Sequence, residues 1–153
     1  MMRPFGGLRR LARAEAGSAL AEMAVIGPVL VLLLIGLIEL GRYAQFSIVV
    51  GNAARAGVQY GAQNLGTAAN LNGMAVAATN DAQNIPELNA QATQFCQCAD
   101  GTASACQPTD CAGTHQVVFV QVDANAAFRS MLHFPGVPAT QTIKSRAVMR
   151  VAQ

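Results

Sequence analysis

Gly17-Ser-Ala-Leu-Ala-Glu22-Met-Ala-Val-Ile-Gly-Pro28-Val-Leu-Val-Leu-Leu-Leu-Ile-Gly36-Leu-Ile-Glu39-Leu-Gly-Arg42-Tyr43 is the stretch that decides how the rest of this chain is read. From Met23 to Ile38 it carries no charged side chain. A transmembrane helix needs about 20 mostly apolar residues. The run reaches that length with Ser18 to Ala21 and Leu40, provided Glu22 and Glu39 sit near its two ends, where a carboxylate can reach water or a partner. A buried core helix is the alternative. Leu, Ile and Val on every face favour the membrane span.

Charge sets the expected orientation. Arg3, Arg9, Arg10 and Arg13 precede the run, opposed by Glu15. Basic residues next to a span stay cytoplasmic, so the N-terminus is expected inside and everything after Tyr43 exported. Apolar residues make up 52% of the chain and charged residues 12%, about half the usual charged share of soluble domains. With no Trp and only 5% aromatics, the exported part is expected to have a modest core. A net charge of +2 without a basic, aromatic-laced patch argues against nucleic acid as a partner. An ordinary secretory signal shares the basic and apolar regions. Here, however, the residues after the apolar run, Glu39 to Tyr43, offer no small-x-small cleavage site. The Arg9-Arg10 pair is an ordinary feature of a basic leader rather than a twin-arginine signal.

A different processing site lies before the run, at Gly17-Ser18, with Glu22 the fifth residue after the cut. A short basic leader, a Gly, four small or apolar residues, a Glu and a continuous apolar helix resemble a type IV prepilin leader. The wider pattern is Ser18-Ala-Leu-Ala-Glu22, Gly27-Pro28-Val-Leu, Gly36-Leu-Ile-Glu39-Leu-Gly41-Arg42 and Asn52-Ala-Ala-Arg55-Ala-Gly57. It resembles the TadE-like family of minor pilins or pseudopilins of Flp-type tight adherence pili. The resemblance is strong over the N-terminal third and looser beyond. Met23 stands where an aromatic residue is common, and Ala56 where an acidic one is often found. The resemblance implies cleavage by a prepilin peptidase, residence in the inner membrane with a periplasmic or extracellular C-terminal domain, and entry into or service to a pilus. The implied partners are that peptidase, other pilin or pseudopilin subunits and the pilus assembly machinery.

The helix can also be argued from its chemistry. Cutting after Gly17 leaves the ammonium of Ser18 four residues before Glu22, on the same helix face. A carboxylate there is favoured by the helix dipole and, in hydrocarbon, needs a cation from its own or a neighbouring subunit. Glu22 is therefore expected to register laterally packed helices; the plainer alternative is an interfacial residue facing headgroups. Pro28 removes the amide that would bond Ala24 and is expected to kink the helix. Gly27, Gly36 and Gly41 permit close approach of another helix, and Glu39 can pair with Arg42. Tyr43, Phe46, Val50, Ala53, Ala54, Gly57 and Tyr60 or Gly61 keep helical spacing. Ser18 to Gly61 as one helix would reach about 65 Å at 1.5 Å per residue.

Asn64-Leu-Gly66-Thr67 breaks the helix, with Thr67 a candidate N-cap for a second one running to about Asn84. Glu87 to Phe95 is expected to form a further short helix after Pro86. Val118, Val120 and Val122 alternate with Phe119 and Gln121 as a strand. Asp123-Ala-Asn125 suggests a break or bulge, Phe128 to Phe134 a second extended run, Pro135 to Pro138 a turn, and Thr140 to Val151 another strand. The loop 96–111 holds Cys96, Cys98, Cys106 and Cys111. Four cysteines in a small exported domain read as two disulfides. Zinc is the rival, but the first pair is C-x-C and no matching second pair follows. Three connectivities are open. The nested one, Cys98–Cys106 inside Cys96–Cys111, closes both rings without crossing and is the expected pairing.

The expected architecture is α+β. It comprises a leader at 1–17, a long transmembrane and spine helix at 18–61, and a small exported domain at 62–153 with short helices, a disulfide loop and an antiparallel β-sheet. No phosphate loop, metal-binding helix or nucleophile elbow occurs, and His115 and His133 lack matched partners. The expectation is a non-enzyme without cofactor or metal. It is either a minor pilin or pseudopilin packing through its N-terminal helix or a single-pass anchor carrying an exported binding or sensing module.

Overall fold

A computed structural model describes residues 6–107, 109–132, 136 and 138–152, with side chains from Ala19 onward. Helix α1 (Gly6–Gly61) carries Pro28 in its interior. Two compact units divide between Gly41 and Arg42. The first is the helix up to Gly41. The second contains the rest of α1, the short helices α2 (Leu65–Ala69) and α3 (Leu71–Asp81), and strands β1 (Asn89–Cys98), β2 (Ala103–Ser104), β3 (Gln116–Arg129) and β4 (Thr140–Arg150). All strand pairs are antiparallel, in the order β2-β1-β3-β4.

The core of the second unit follows from two periodicities. On α1, Val50, Ala53, Ala54, Gly57, Val58 and Gly61 are buried, at the three- and four-residue steps of one helix face. On β3, the buried residues Val118, Val120, Val122, Ala124, Ala126 and Phe128 fall at every second position. Met74 and Ala78 of α3, together with Val151, fill the space around Val58 and Val120. Ile85, Ile143 and Phe128 close the other half against Val50. Burying one valine stabilises by roughly 1.5–3 kcal/mol, so this row of valines compensates for the scarcity of aromatics.

Close approach makes the packing possible. A Cβ on Gly57 would lie 2.9 Å from the Met74 carbonyl oxygen and 3.0 Å from Val122 Cγ2. A Cβ on Gly61 would overlap Met74 Sδ and lie 3.3 Å from Val120 Cγ2. Any side chain at Gly57 meets backbone as well as a core valine, so this position cannot relax by turning one rotamer.

Several local expectations are corrected. Thr67 is not the cap of the second helix. Asn64 is, with extended backbone; its side chain accepts from Thr67 N at 2.9 Å while Thr67 Oγ1 accepts from Asn64 N at 3.1 Å. The two residues form a reciprocal capping box. The helix from there is split in two: Asn70 ends α2 and caps α3 by accepting from Gly73 N at 2.8 Å. The segment Glu87 to Phe95 is largely strand rather than helix. β1 pairs with β3 without interruption from Asn89↔Asn125 to Cys98↔Gln116, so pairing overrides the helix preference of its Ala and Gln residues. Asp123-Ala-Asn125 does not break β3. Ala124 turns into the core, while the Asp123 carboxylate accepts from Arg146 Nε at 2.6 Å and Gln121 Nε2 at 2.7 Å. Beyond Phe128 the strand ends at Arg129, and Ser130 N donates to Ala139 O at 3.0 Å to close the hairpin. His133, Phe134, Pro135 and Val137 lie outside the described residues, and with them most of the expected turn.

The nested disulfide pairing is also corrected: the bonds are Cys96–Cys106 and Cys98–Cys111. The β1–β2 hairpin turns early, with Cys96 opposite Ser104 and Cys98 N donating to Thr102 O at 2.8 Å. Cys98 therefore sits at the turn, too far along the ribbon for Cys106, which lies two residues past the partner of Cys96. A left-handed backbone at Cys106, φ 64°, bends the chain there. The Asp110 carboxylate gathers the return by accepting from Ser104 Oγ at 2.9 Å and Ala105 N at 2.7 Å. This brings Cys111 back to Cys98.

Three outcomes are expected. Gly57→Leu destabilises the second unit by about 1–3 kcal/mol, the usual cost of overpacking, read as earlier thermal unfolding in detergent. Gly36→Ala, whose new Cβ would meet nothing within 4 Å, leaves unfolding unchanged. Non-reducing peptide mapping recovers Cys96 with Cys106 and Cys98 with Cys111. Replacing Cys98 and Cys111 by Ser lowers stability by about 3 kcal/mol in the loop-closure treatment. The third outcome concerns acid. The Arg146 hydrogen bond holds the Asp123 carboxyl below its ordinary value of 3.8. Its contribution is then complete above that ordinary value and is lost as pH falls through the lowered one. Asp123→Asn should flatten the acid limb of a stability–pH curve without changing its slope above pH about 5.

Candidate functional site: an exposed apolar helix

Large apolar side chains dominate the first unit and turn outward. From Leu20 to Leu40, those of Leu, Met, Val and Ile other than Ile35 are 50–73% exposed. The helix from Ala19 is long and apolar enough to span a bilayer, with a mean hydropathy of 2.6 over its most apolar 18 residues and none of that window buried. An apolar surface of this extent needs lipid or protein to cover it. A core helix would be covered by its own chain, which this window is not. The helix therefore supports a single-pass membrane anchor.

Gly17 and Ser18 fall within the helical backbone of α1. Glu22 is exposed and shares a shallow surface with Ala21, Val25 and Ile26, so its carboxylate is set in an apolar wall. Pro28 is exposed one turn and a half further on. Its missing amide leaves the carbonyl of Ala24 without its usual helical donor. A Cβ built on Gly27, Gly36 or Gly41 would touch nothing within 4 Å. The space at these positions is open, and the missing side chain lets another helix approach closely.

The second unit opens with an aromatic cluster that sequence reasoning missed. Phe128 meets Phe46 at 5.4 Å and Tyr43 at 5.5 Å between ring centroids, both edge-on, and the Arg42 guanidinium lies 5.5 Å from the Phe128 ring centre. Edge-on aromatic pairs add about 0.5–1.5 kcal/mol beyond the area they bury. The signal that could have found it was the inward alternation from Val118, which arrives at Phe128 if the strand is allowed to continue.

Several polar groups of the second unit brace its structure. All four cysteines are committed to disulfides. Among the described residues, no three His, Cys, Asp or Glu side chains are grouped to hold a metal ion. Phe95 and Phe119, paired across β1 and β3, stack at 5.4 Å, and four residues further along β3 Asp123 pairs with Arg146. The Asp110 carboxyl is held below its ordinary value first by the Ser104 hydroxyl and then by the Gln107 amide. These are the marks of a braced loop.

No curated protein and no solved structure matches the chain. A family model does. Residues 17–59 match the model described as TadE-like protein, a stretch that begins at Gly17-Ser18, takes in the whole exposed apolar run and ends on the buried helix face of the second unit, so over this part the chain is similar to TadE-like proteins.

Proposed function

We propose that this protein is a minor pilin or pseudopilin that takes part in assembling a Flp-type tight adherence pilus, packing through its N-terminal helix. The TadE-like match joined to an N-terminal apolar helix is consistent with a protein associated with a Tad pilus, and that family is not an enzyme family. The observation that carries the finer reading is the fully outward apolar surface from Leu20 to Leu40 with one carboxylate, Glu22, near its start. A passive anchor needs only hydrophobicity. A carboxylate five residues into the mature chain supplies a directional contact, satisfied by the Ser18 ammonium of a neighbouring helix.

In this reading a prepilin peptidase cuts between Gly17 and Ser18 on the cytoplasmic side, where Arg3, Arg9, Arg10 and Arg13 hold the leader. The inner membrane keeps the helix until other pilin-like subunits and the assembly machinery take it up. The second unit lies on the periplasmic or outer side, where its two disulfides form and persist. Pro28 loosens the helix within the bilayer, so its two halves can adjust to neighbours.

Two measurements test this. Mass spectrometry of the protein from cells with an active prepilin peptidase is expected to give a mature chain starting at Ser18, and Gly17→Ala to leave the leader attached. Recovery of the intact Met1-initiated chain alone would point instead to a permanent anchor with a binding or sensing domain. Glu22→Ala is expected to insert in the membrane normally but to lose crosslinks to pilin-like subunits. Unchanged crosslinking and piliation would remove the registering role from Glu22.

A further inference from the structure

Strand β4 forms one edge of the four-stranded sheet. Its register with β3 runs without a bulge from Phe119↔Arg150 to Arg129↔Thr140, and it contains no proline. Val151 N donates to Val118 O and Ser130 N to Ala139 O, which fixes the parity of the ladder. Odd-numbered residues of β4 exchange bonds with β3. Thr140, Thr142, Lys144, Arg146, Val148 and Arg150 therefore turn their N–H and C=O groups away from the sheet. Among the described residues, no backbone group pairs with that outer row. At about 3.4 Å per residue the open edge is about 35 Å long.

All six residues of the row are exposed, and with a period of two their side chains share one sheet face. The row carries three cations and no carboxylate. Arg146 is satisfied by Asp123 at 2.6 Å, while among the described residues Lys144 and Arg150 have no ion-pair partner. Val148, 47% exposed, stands between the two arginines. Edge cations guard a strand against pairing with its like. Two copies of β4 laid antiparallel in full overlap would set Lys144 opposite Arg146, and like charges directly opposite are unfavourable. The same charges favour a strand that brings carboxylates.

We propose that β4 accepts an acidic extended segment of another protein as a fifth, antiparallel strand. Backbone bonds to the open row supply the affinity, and alternate side chains the selectivity. Antiparallel addition continues the pattern of every pair already in the sheet. The segment places carboxylates opposite Arg150 and Lys144, six residues apart as those two are, with a β-branched apolar residue opposite Val148. The position facing Arg146 needs no charge, because Asp123 already supplies one. None of this depends on the fate of the N-terminal helix.

The probe is a fluorescein-labelled heptapeptide with blocked termini, Glu-Thr-Val-Thr-Thr-Thr-Glu, titrated with the full-length protein in non-ionic detergent and followed by anisotropy. Binding is expected. Moving the second Glu one position toward the centre turns it to the other face and is expected to weaken binding about tenfold. A peptide N-methylated on Val and on the middle Thr of the run of three keeps its charge and loses edge bonds. It is expected to bind about tenfold more weakly as well. The double variant Lys144→Glu with Arg150→Glu, its fold checked by thermal unfolding, is expected to lose this peptide and take up Lys-Thr-Val-Thr-Thr-Thr-Lys. Equal binding of the N-methylated peptide would mean adsorption by charge alone and would overturn strand addition. No binding of the parent peptide, or undiminished binding to the reversed variant, overturns the proposal outright. Val148→Pro removes an outward N–H and spares the bonds to β3. A dimer of the protein alone that Val148→Pro abolishes would give the edge to a second copy and overturn the acidic partner.

Discussion

Contact without a Cβ is the constraint on which the second unit depends. Helix α1 can lie against Met74 and Val122 because Gly57 and Gly61 present bare backbone at the two points of closest approach. Glycine in a helix interior is unfavourable by about 1 kcal/mol relative to alanine. Here that cost is set against a row of buried valines and Met74, each worth more than the helix loses. The inward row of β3, the fit of α3 and the docking of Val151 all presuppose that spacing. Were the helix displaced by the width of a methyl group, the valine row would face a gap.

The same helix answers a different solvent before Gly41. There the apolar residues turn outward on every face, which is the solution for hydrocarbon, where the backbone is satisfied within the helix and the side chains need no partner of their own chain. From Val50 on, apolar residues recede to one face and become small, which is the solution for packing against a sheet. The change occurs within a few residues around Arg42 and Tyr43. Around it the chain places a cluster of edge-on aromatics under an arginine.

What could be read in advance follows this division. The apolar run, the α+β class, the helix end at Gly61 and the strands around Val120 and Thr140 to Arg150 were legible because they rest on unbroken periodicity. β1 was not, because Asn89-Ala-Gln-Ala-Thr-Gln has the composition of a helix and becomes a strand only by pairing with β3. Asp123 suggested an interruption because its outward partners, Gln121 and above all Arg146, are supplied by the sheet itself. The disulfide exchange depended on where the hairpin turns. Two residues of register decide which cysteine Cys106 can reach, and that register is set by the Asp100-Gly101 turn, where Asp100 accepts from Thr102 N at 3.0 Å and Gly101 takes a positive φ, a turn signal that the reading of the cysteine spacing passed over. The TadE-like resemblance was carried by the order and spacing of short motifs in the N-terminal third, which is where the family match lies.

The buried face running from Val50 to Ala62 also sets where the protein can be dissected. Val50, Ala53, Ala54 and Val58 are essentially inaccessible, and they belong to the helix rather than to the sheet they cover. A soluble fragment cut after Gly61 would keep every strand and both disulfides yet lack one wall of its interior, leaving Val120, Val122 and Met74 open to water. A fragment starting at Arg42 carries that wall with it. The covalent border of the folding unit therefore lies some twenty residues upstream of the apparent end of the helix, and a subunit released from the membrane must take this length of helix along to remain folded.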